Sequence, residues 1–106
     1  MEISFEDFSK IDIRSGTIVK AERVLKSNKL LKLEVSFGSL GTRQILAGIG
    51  KDFVPEFVVG CSALFVVNLA PRQMMGLESH GMILAAPDVD GKLHLSMCPE
   101  VPDGTQ

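Results

Sequence analysis

Apolar and polar positions alternate along much of this chain, most clearly at residues 31–37. Leu31, Leu33, Val35 and Phe37 share one face there, and Lys32, Glu34 and Ser36 share the other. A period of two marks a half-buried strand, here with charge on its outer face. Ile11, Ile13 and Ile18 mark an earlier strand whose phase shifts at Gly16, which predicts a bulge at that glycine. Residues 37–41 read as a turn and residues 43–47 as a third strand. Residues 63–69, rich in β-branched side chains and Phe, read as a buried strand, and residues 81–86 as another. Between them and the third strand, residues 48–60 predict a loop with one helical turn broken at Pro55. Leu93 and Leu95, flanking His94, begin a last extended segment. Ahead of the first strand, Ser4 is placed to cap a short helix over residues 5–9, with Glu6 and Asp7 in its first turn. Phe5 and Phe8 then share a face, which predicts that the helix packs on something.

Three strands, a connector with a little helix, and two more strands is the order of an all-β, five-stranded OB-fold Greek-key barrel. Five short strands would also suit an SH3-like barrel. A long first strand that bends at a bulge to serve both sheets favours the OB barrel. The 106 residues predict a single domain over residues 1–106, with its core in about residues 8–106. Such a chain buries roughly two thirds of its unfolded surface, enough for one modest core. An apolar content of 45% argues for a folded chain. The longest apolar run, residues 57–71, is interrupted by Gly60, Ser62 and Asn68 and is too short to cross a bilayer. The acidic start Met1-Glu2-Ile3-Ser4 does not read as a secretory signal. Cys61 and Cys98 form no CxxC, and two reduced thiols are a simpler reading than a disulfide. The expected location is cytoplasmic.

The net charge of −2 is wrong for a nucleic-acid binder until its distribution is considered. Residues 10–51 hold nine of the eleven Lys and Arg residues against three acids, and the flanks on both sides are acidic. Segregation of this kind builds either a basic face on an acidic protein or a set of solvated strand faces.

Catalytic chemistry is not indicated. His80 sits beside Ser79 without an acid at a sensible offset, and Ser79 lacks a GxSxG elbow, which argues against a Ser–His hydrolase. His94 reads as a surface strand residue. No HxxE, CxxC or carboxylate pair offers a metal site, and neither Gly38-Ser39-Leu40-Gly41 nor Gly48-Ile49-Gly50-Lys51 is a phosphate loop. No enzyme activity, metal or cofactor is expected.

The pattern points instead to recognition. Arg72 follows Pro71, which cannot donate to a ladder, so the chain leaves the sheet there and projects Arg72 outward. It is either a phosphate grip or a solvated turn arginine. Met74 and Met75 are either exposed adaptable contacts or loop residues tucked onto the barrel. Ser79 either bonds RNA or caps the turn. Lys26-Ser27-Asn28-Lys29 forms a basic turn after the first strand. Trp and Tyr are absent and the six Phe mostly fall at core positions, so base stacking on aromatics is not expected. Phosphates, 2′-hydroxyls and shape remain, which favours a structured RNA.

Nearly the whole chain resembles the tRNA-binding domain family. The resemblance rests on Asp12-Ile13-Arg14-x-Gly16-x-Ile18, Asn28-Lys29-Leu30, Arg43-Gln44-Ile45-x-x-Gly48-Ile49 and Val67-Asn68-Leu69-x-Pro71-Arg72, and on Met75-Gly76-x-x-Ser79-x-Gly81-Met82-x-Leu84-Ala85-Ala86. The N-terminal part is similar to CsaA-like members and the second half to the C-terminal domain of methionyl-tRNA synthetase. The resemblance implies an OB fold, sequence-independent binding of tRNA, and a stand-alone homodimer that assists a synthetase in trans. The dimer would use the N-terminal helix and the C-terminal extension after Gly91. It also implies RNA contacts at Asn28, Lys29, Arg43, Arg72 and Ser79, supported by Gln44, Asn68, Met75 and Met82, although Asn68 reads equally as a structural amide at a strand end. The alternatives are a CsaA-like chaperone for unfolded polypeptides and a module that docks onto a synthetase.

Overall fold

The computed structural model describes residues 1–106. Its spine is an 11-residue strand, β1 (Ile13–Arg23). The first half of β1 pairs antiparallel with β4 (Ser62–Val66), and the second half with β2 (Leu31–Ser36). β3 (Thr42–Ala47) extends the sheet on β2, and the short β7 (Met82–Ile83) extends it on β4, giving the order β3-β2-β1-β4-β7. The two edges curl toward each other. The His80 amide donates to the Gln44 carbonyl at 2.9 Å, and a side chain at Gly81 would lie 3.0 Å from Ile45 Cδ1. The result is the nearly closed five-stranded antiparallel barrel expected of an OB fold.

β1 serves both partners because it bends. The register with β2 slips between Ile18 and Lys20, so the bulge lies at Val19 and not at Gly16. Gly16 is required for a different reason. A Cβ there would stand 2.7 Å from the Phe37 ring and 2.8 Å from Val35 Cγ1. Those two side chains belong to the main core, with Ile18, Leu33, Ile45 and Phe65. The Phe37 and Phe65 rings meet edge to face, 5.5 Å between centroids.

Two helices punctuate the strands. Ser4 caps α1 (Phe5–Phe8) by accepting the Asp7 amide at 3.0 Å. α2 (Pro55–Val58) begins at Pro55, where a fixed φ and a missing N–H suit the first helical turn, so this proline starts the helix and does not break it. Two hairpins complete the chain: β5 (Arg72–Met74) with β6 (Leu77–Ser79), and β8 (Ala85–Pro87) with β9 (Leu93–Leu95). The segment predicted as one strand over residues 81–86 is thus divided between β7 and β8.

Past β9 the chain returns to the barrel. Residue 97 bridges to Ala63, and the tail lies along β1, with the Ser15 amide donating to the Thr105 carbonyl at 2.9 Å and the Gly104 amide to the Ser15 carbonyl at 2.8 Å. Thr17 Oγ1 donates to Asp103 at 2.6 Å. The phenylalanines divide differently from the expectation. Phe37 and Phe65 are buried and Phe53 is half-buried, but Phe5, Phe8 and Phe57 are exposed. The apolar face of α1 has no cover within the chain.

Candidate nucleic-acid interface

The loop after β1 is folded tightly on itself. Lys26 adopts a φ of 66°, and the Ser27 hydroxyl accepts the Leu30 amide at 3.1 Å. A second loop staples it from outside: the Gly50 amide donates to the Lys29 carbonyl at 2.7 Å, and Arg23 Nη1 donates to the Gly50 carbonyl at 2.9 Å. A side chain at Gly50 would crowd the Lys29 carbonyl at 2.9 Å, so glycine is needed for the approach. Asn28 and Lys29 are left exposed on a fixed backbone, and their side chains have no partner in the chain.

The β5–β6 hairpin supplies the opposite wall. Its turn residues Met75 and Gly76 have φ of 51° and 78°, the left-handed pair of a type I′ turn. Arg72 opens the hairpin, is exposed, and makes no ion pair or hydrogen bond. Lys29 and Arg72 line one cleft of about 440 Å³. Its apolar lining includes Leu30, Ile49, Leu69, Met74 and Met82, and no carboxylate borders it. On a chain with more acids than bases, an acid-free cleft with two unpaired cations is a local inversion of charge.

Of the expected contact residues, Asn28, Lys29, Arg72 and Met82 fall on or beside this cleft. Four others are consumed by the barrel. Arg43 Nη1 donates to the Val67 carbonyl and, at 3.5 Å, to the His80 carbonyl. Gln44 Nε2 donates to the Glu78 carbonyl at 2.9 Å. Asn68 accepts the Asp12 amide at 2.8 Å and donates to the Lys10 carbonyl, clamping the chain ahead of β1. Ser79 lines the cleft but is only 2% exposed, and its hydroxyl is shared between the Leu46 amide and the Gly81 carbonyl. Met75 is exposed on the far side of the hairpin, near Leu25 and Lys32, away from Lys29.

The basic stretch of the sequence does not form a uniform basic face. On the outer surface of β1, β2 and β3, Lys20 stands opposite Glu34 in register, and Lys32 pairs with Glu22 at 2.7 Å. The hydrogen bond and charge of Lys32 hold the Glu22 carboxyl below its ordinary range. Arg14 is bound to Asp12 and to the Gly104 carbonyl. The cations that line the cleft are Lys29 and Arg72; Lys26 belongs to the same loop as Lys29, and Lys51 follows the stapling Gly50 in sequence.

Within the apolar floor, Met74 and Met82 are legible from the sequence as candidate contacts, whereas Leu30 and Leu46 are not. Ile45-Leu46-Ala47 breaks the alternation of β3, and Leu30-Leu31 does the same at the start of β2. Each extra leucine faces away from the main core and joins Val24 in a second small cluster under Met74 and Leu77. A broken period was the available signal. No group of three or more His, Cys, Asp or Glu side chains gathers anywhere in the fold, and no helix is long and apolar enough to cross a membrane.

Residues 13–106 match the family described as "Putative tRNA binding domain". The methionine–tRNA ligase of Porphyromonas gingivalis is 48% identical over 106 residues, 99% of this chain and 15% of the ligase. That of Chlorobium chlorochromatii is 55% identical over 93 residues, 88% of this chain and 13% of the ligase. This chain therefore spans only about a seventh of those relatives. Among solved structures, the MetRS related protein from Pyrococcus horikoshii superposes with a TM-score of 0.92 at 40% identity, covering 99% of this chain and 97% of that one. The chaperone CsaA of Bacillus anthracis superposes with a TM-score of 0.89 at 34% identity, covering 99% and 97%. With an OB barrel, a cation-rimmed cleft and these matches, the chain belongs to the tRNA-binding domain family.

Proposed function

We propose that this domain binds tRNA without reading its base sequence, through phosphate contacts from Lys29 and Arg72, and that it does so as a non-catalytic homodimer serving a methionine–tRNA ligase in trans. The observation that carries the reading is the pair of unpartnered cations on an acid-free cleft of an otherwise acidic chain. Cations already bonded inside the fold, such as Arg43, contribute little to phosphate binding, whereas these two are free to release counterions. A second copy of the chain would cover the exposed Phe5 and Phe8 face.

The test is tRNA affinity against salt for wild type, Lys29→Ala and Arg72→Ala. Each substitution is expected to weaken binding and to reduce the slope of log affinity against log salt by about one. A wild type that fails to bind tRNA at low ionic strength removes the reading. Light scattering of the same samples tests the dimer.

The apolar content of the cleft and the likeness to a CsaA chaperone favour a second reading, capture of extended polypeptides. It predicts peptide binding that survives salt and is lost in Met74→Glu.

A further inference from the structure

The cleft has a chemical character that phosphate binding does not use. Two cations need no apolar floor, yet here they border Leu30, Ile49, Leu69, Met74 and Met82. Leu69 and Met82 are 49% and 46% exposed, so apolar surface is offered to whatever enters. The only hydroxyl in the lining, that of Ser79, is fully committed to Leu46 and Gly81. An extended polypeptide entering here would find side-chain donors for its carbonyls in Lys29 and Arg72 but no free side-chain acceptor for its amide N–H groups. A nucleobase differs. Its flat faces are apolar enough to pack on thioethers and leucine, its polar edge can stay at the mouth in water, and its sugar-phosphate chain carries negative charge on either side.

We propose that the cleft takes an unpaired nucleobase of the bound RNA, packed against Met82 and Leu69, with flanking phosphates on Lys29 and Arg72. This rests on the tRNA reading above and adds a single-stranded contact to it. Because Met82 and Leu69 offer a base apolar contact and no hydrogen bond, packing on them tolerates any base. Met82 and Leu69 take the place of the aromatic platforms that the sequence lacks.

The test compares a short single-stranded RNA with the same strand made abasic, against wild type, Met82→Ser and Leu69→Ser. Both side chains are half-exposed, so neither truncation hollows the core. Wild type is expected to prefer the base-bearing strand by about fivefold or more. Both variants are expected to bring that ratio toward one while leaving abasic binding unchanged. Equal binding of the two strands by wild type, or a preference that survives both substitutions, overturns the proposal. Folded tRNA titrated against salt with the same proteins separates the two levels. If tRNA still binds with its salt slope, only the base contact has failed; if it does not bind, the tRNA reading has failed as well.

Discussion

The Ser79 hydroxyl accepts the Leu46 amide hydrogen at 3.0 Å and donates its own to the Gly81 carbonyl at 3.0 Å. A side chain here does what a strand carbonyl does elsewhere in the sheet. β3 is an edge strand, and its outer ladder is closed by pieces: Ser79 to Leu46, the His80 amide to Gln44, and the Gln44 side chain to Glu78. The barrel is shut by the segment that also carries Arg72.

Ser79→Ala is therefore expected to act on stability and not on RNA. It leaves the buried Leu46 amide without a partner, at a cost of about 1–3 kcal/mol. For a domain of this size that lowers the melting temperature by roughly 4 °C or more. The salt slope of tRNA binding by the folded variant stays at the wild-type value. An unchanged melting temperature with a flatter slope would return Ser79 to the interface.

Arg43 and Arg72 provide the complementary pair. Both are arginines in stretches that carry the family resemblance, but only one is spent inside the fold. Arg43→Ala frees the Val67 carbonyl of its donor and is expected to lower the melting temperature. Arg72→Ala touches nothing and is expected to stay within about 0.5 kcal/mol of wild type. Calorimetry of both, beside their tRNA titrations, checks the division. Equal melting temperatures for the two variants would contradict it.

These contrasts show what was readable in the residues. Period two at Leu31–Ser36 gave β2 almost to the residue, because one face of that strand is buried and the other wet. Ser4 gave the start of α1. Gly16 gave the right strand with the wrong reason: the bulge sits at Val19, and the glycine answers to Phe37, a residue 21 positions away in sequence that no local pattern reveals. The site was legible as residue types and illegible as roles. Arg43, Gln44, Asn68 and Ser79 carry side chains suited to RNA, but their hydrogen bonds go to backbone groups, all of them distant in sequence except the Gly81 carbonyl bonded by Ser79. The β5–β6 hairpin has only a weak sequence signal: Gly76 marks a tight turn, but Met75 occupies a positive φ where Asn or Asp is usual.

Gly16→Ala tests the packing explanation. The added methyl group meets the Phe37 ring and Val35 Cγ1 inside the main core. Overpacking of this kind costs about 1–3 kcal/mol. Chemical denaturation should show a lower midpoint with an unchanged m-value. Phe37→Leu in the same background is expected to recover part of the loss by making room. A Gly16→Ala protein as stable as wild type would mean that Phe37 moves aside freely.

The β8–β9 hairpin carries a pH dependence of its own. His94 Nε2 lies 2.9 Å from Asp88 Oδ2, and the Asp90 and Lys92 amides donate to Asp88 Oδ1 at 2.9 and 3.0 Å. The hydrogen bond from His94 first, and those amides second, hold the Asp88 carboxyl below its ordinary value of 3.8. A carboxyl lowered in the fold binds its proton less readily there than in the unfolded chain. Its contribution is thus fully present above 3.8 and is lost as pH falls through the lowered value. The group is exposed, so the melting temperature should move little, and the change should be local. In a titration followed by NMR, the Asp90 and Lys92 amide signals are expected to shift together, with a midpoint below 3.8. His94→Ala should raise that midpoint toward the ordinary value without reaching it, because the two amides remain. A midpoint unmoved by His94→Ala would assign the whole effect to the turn.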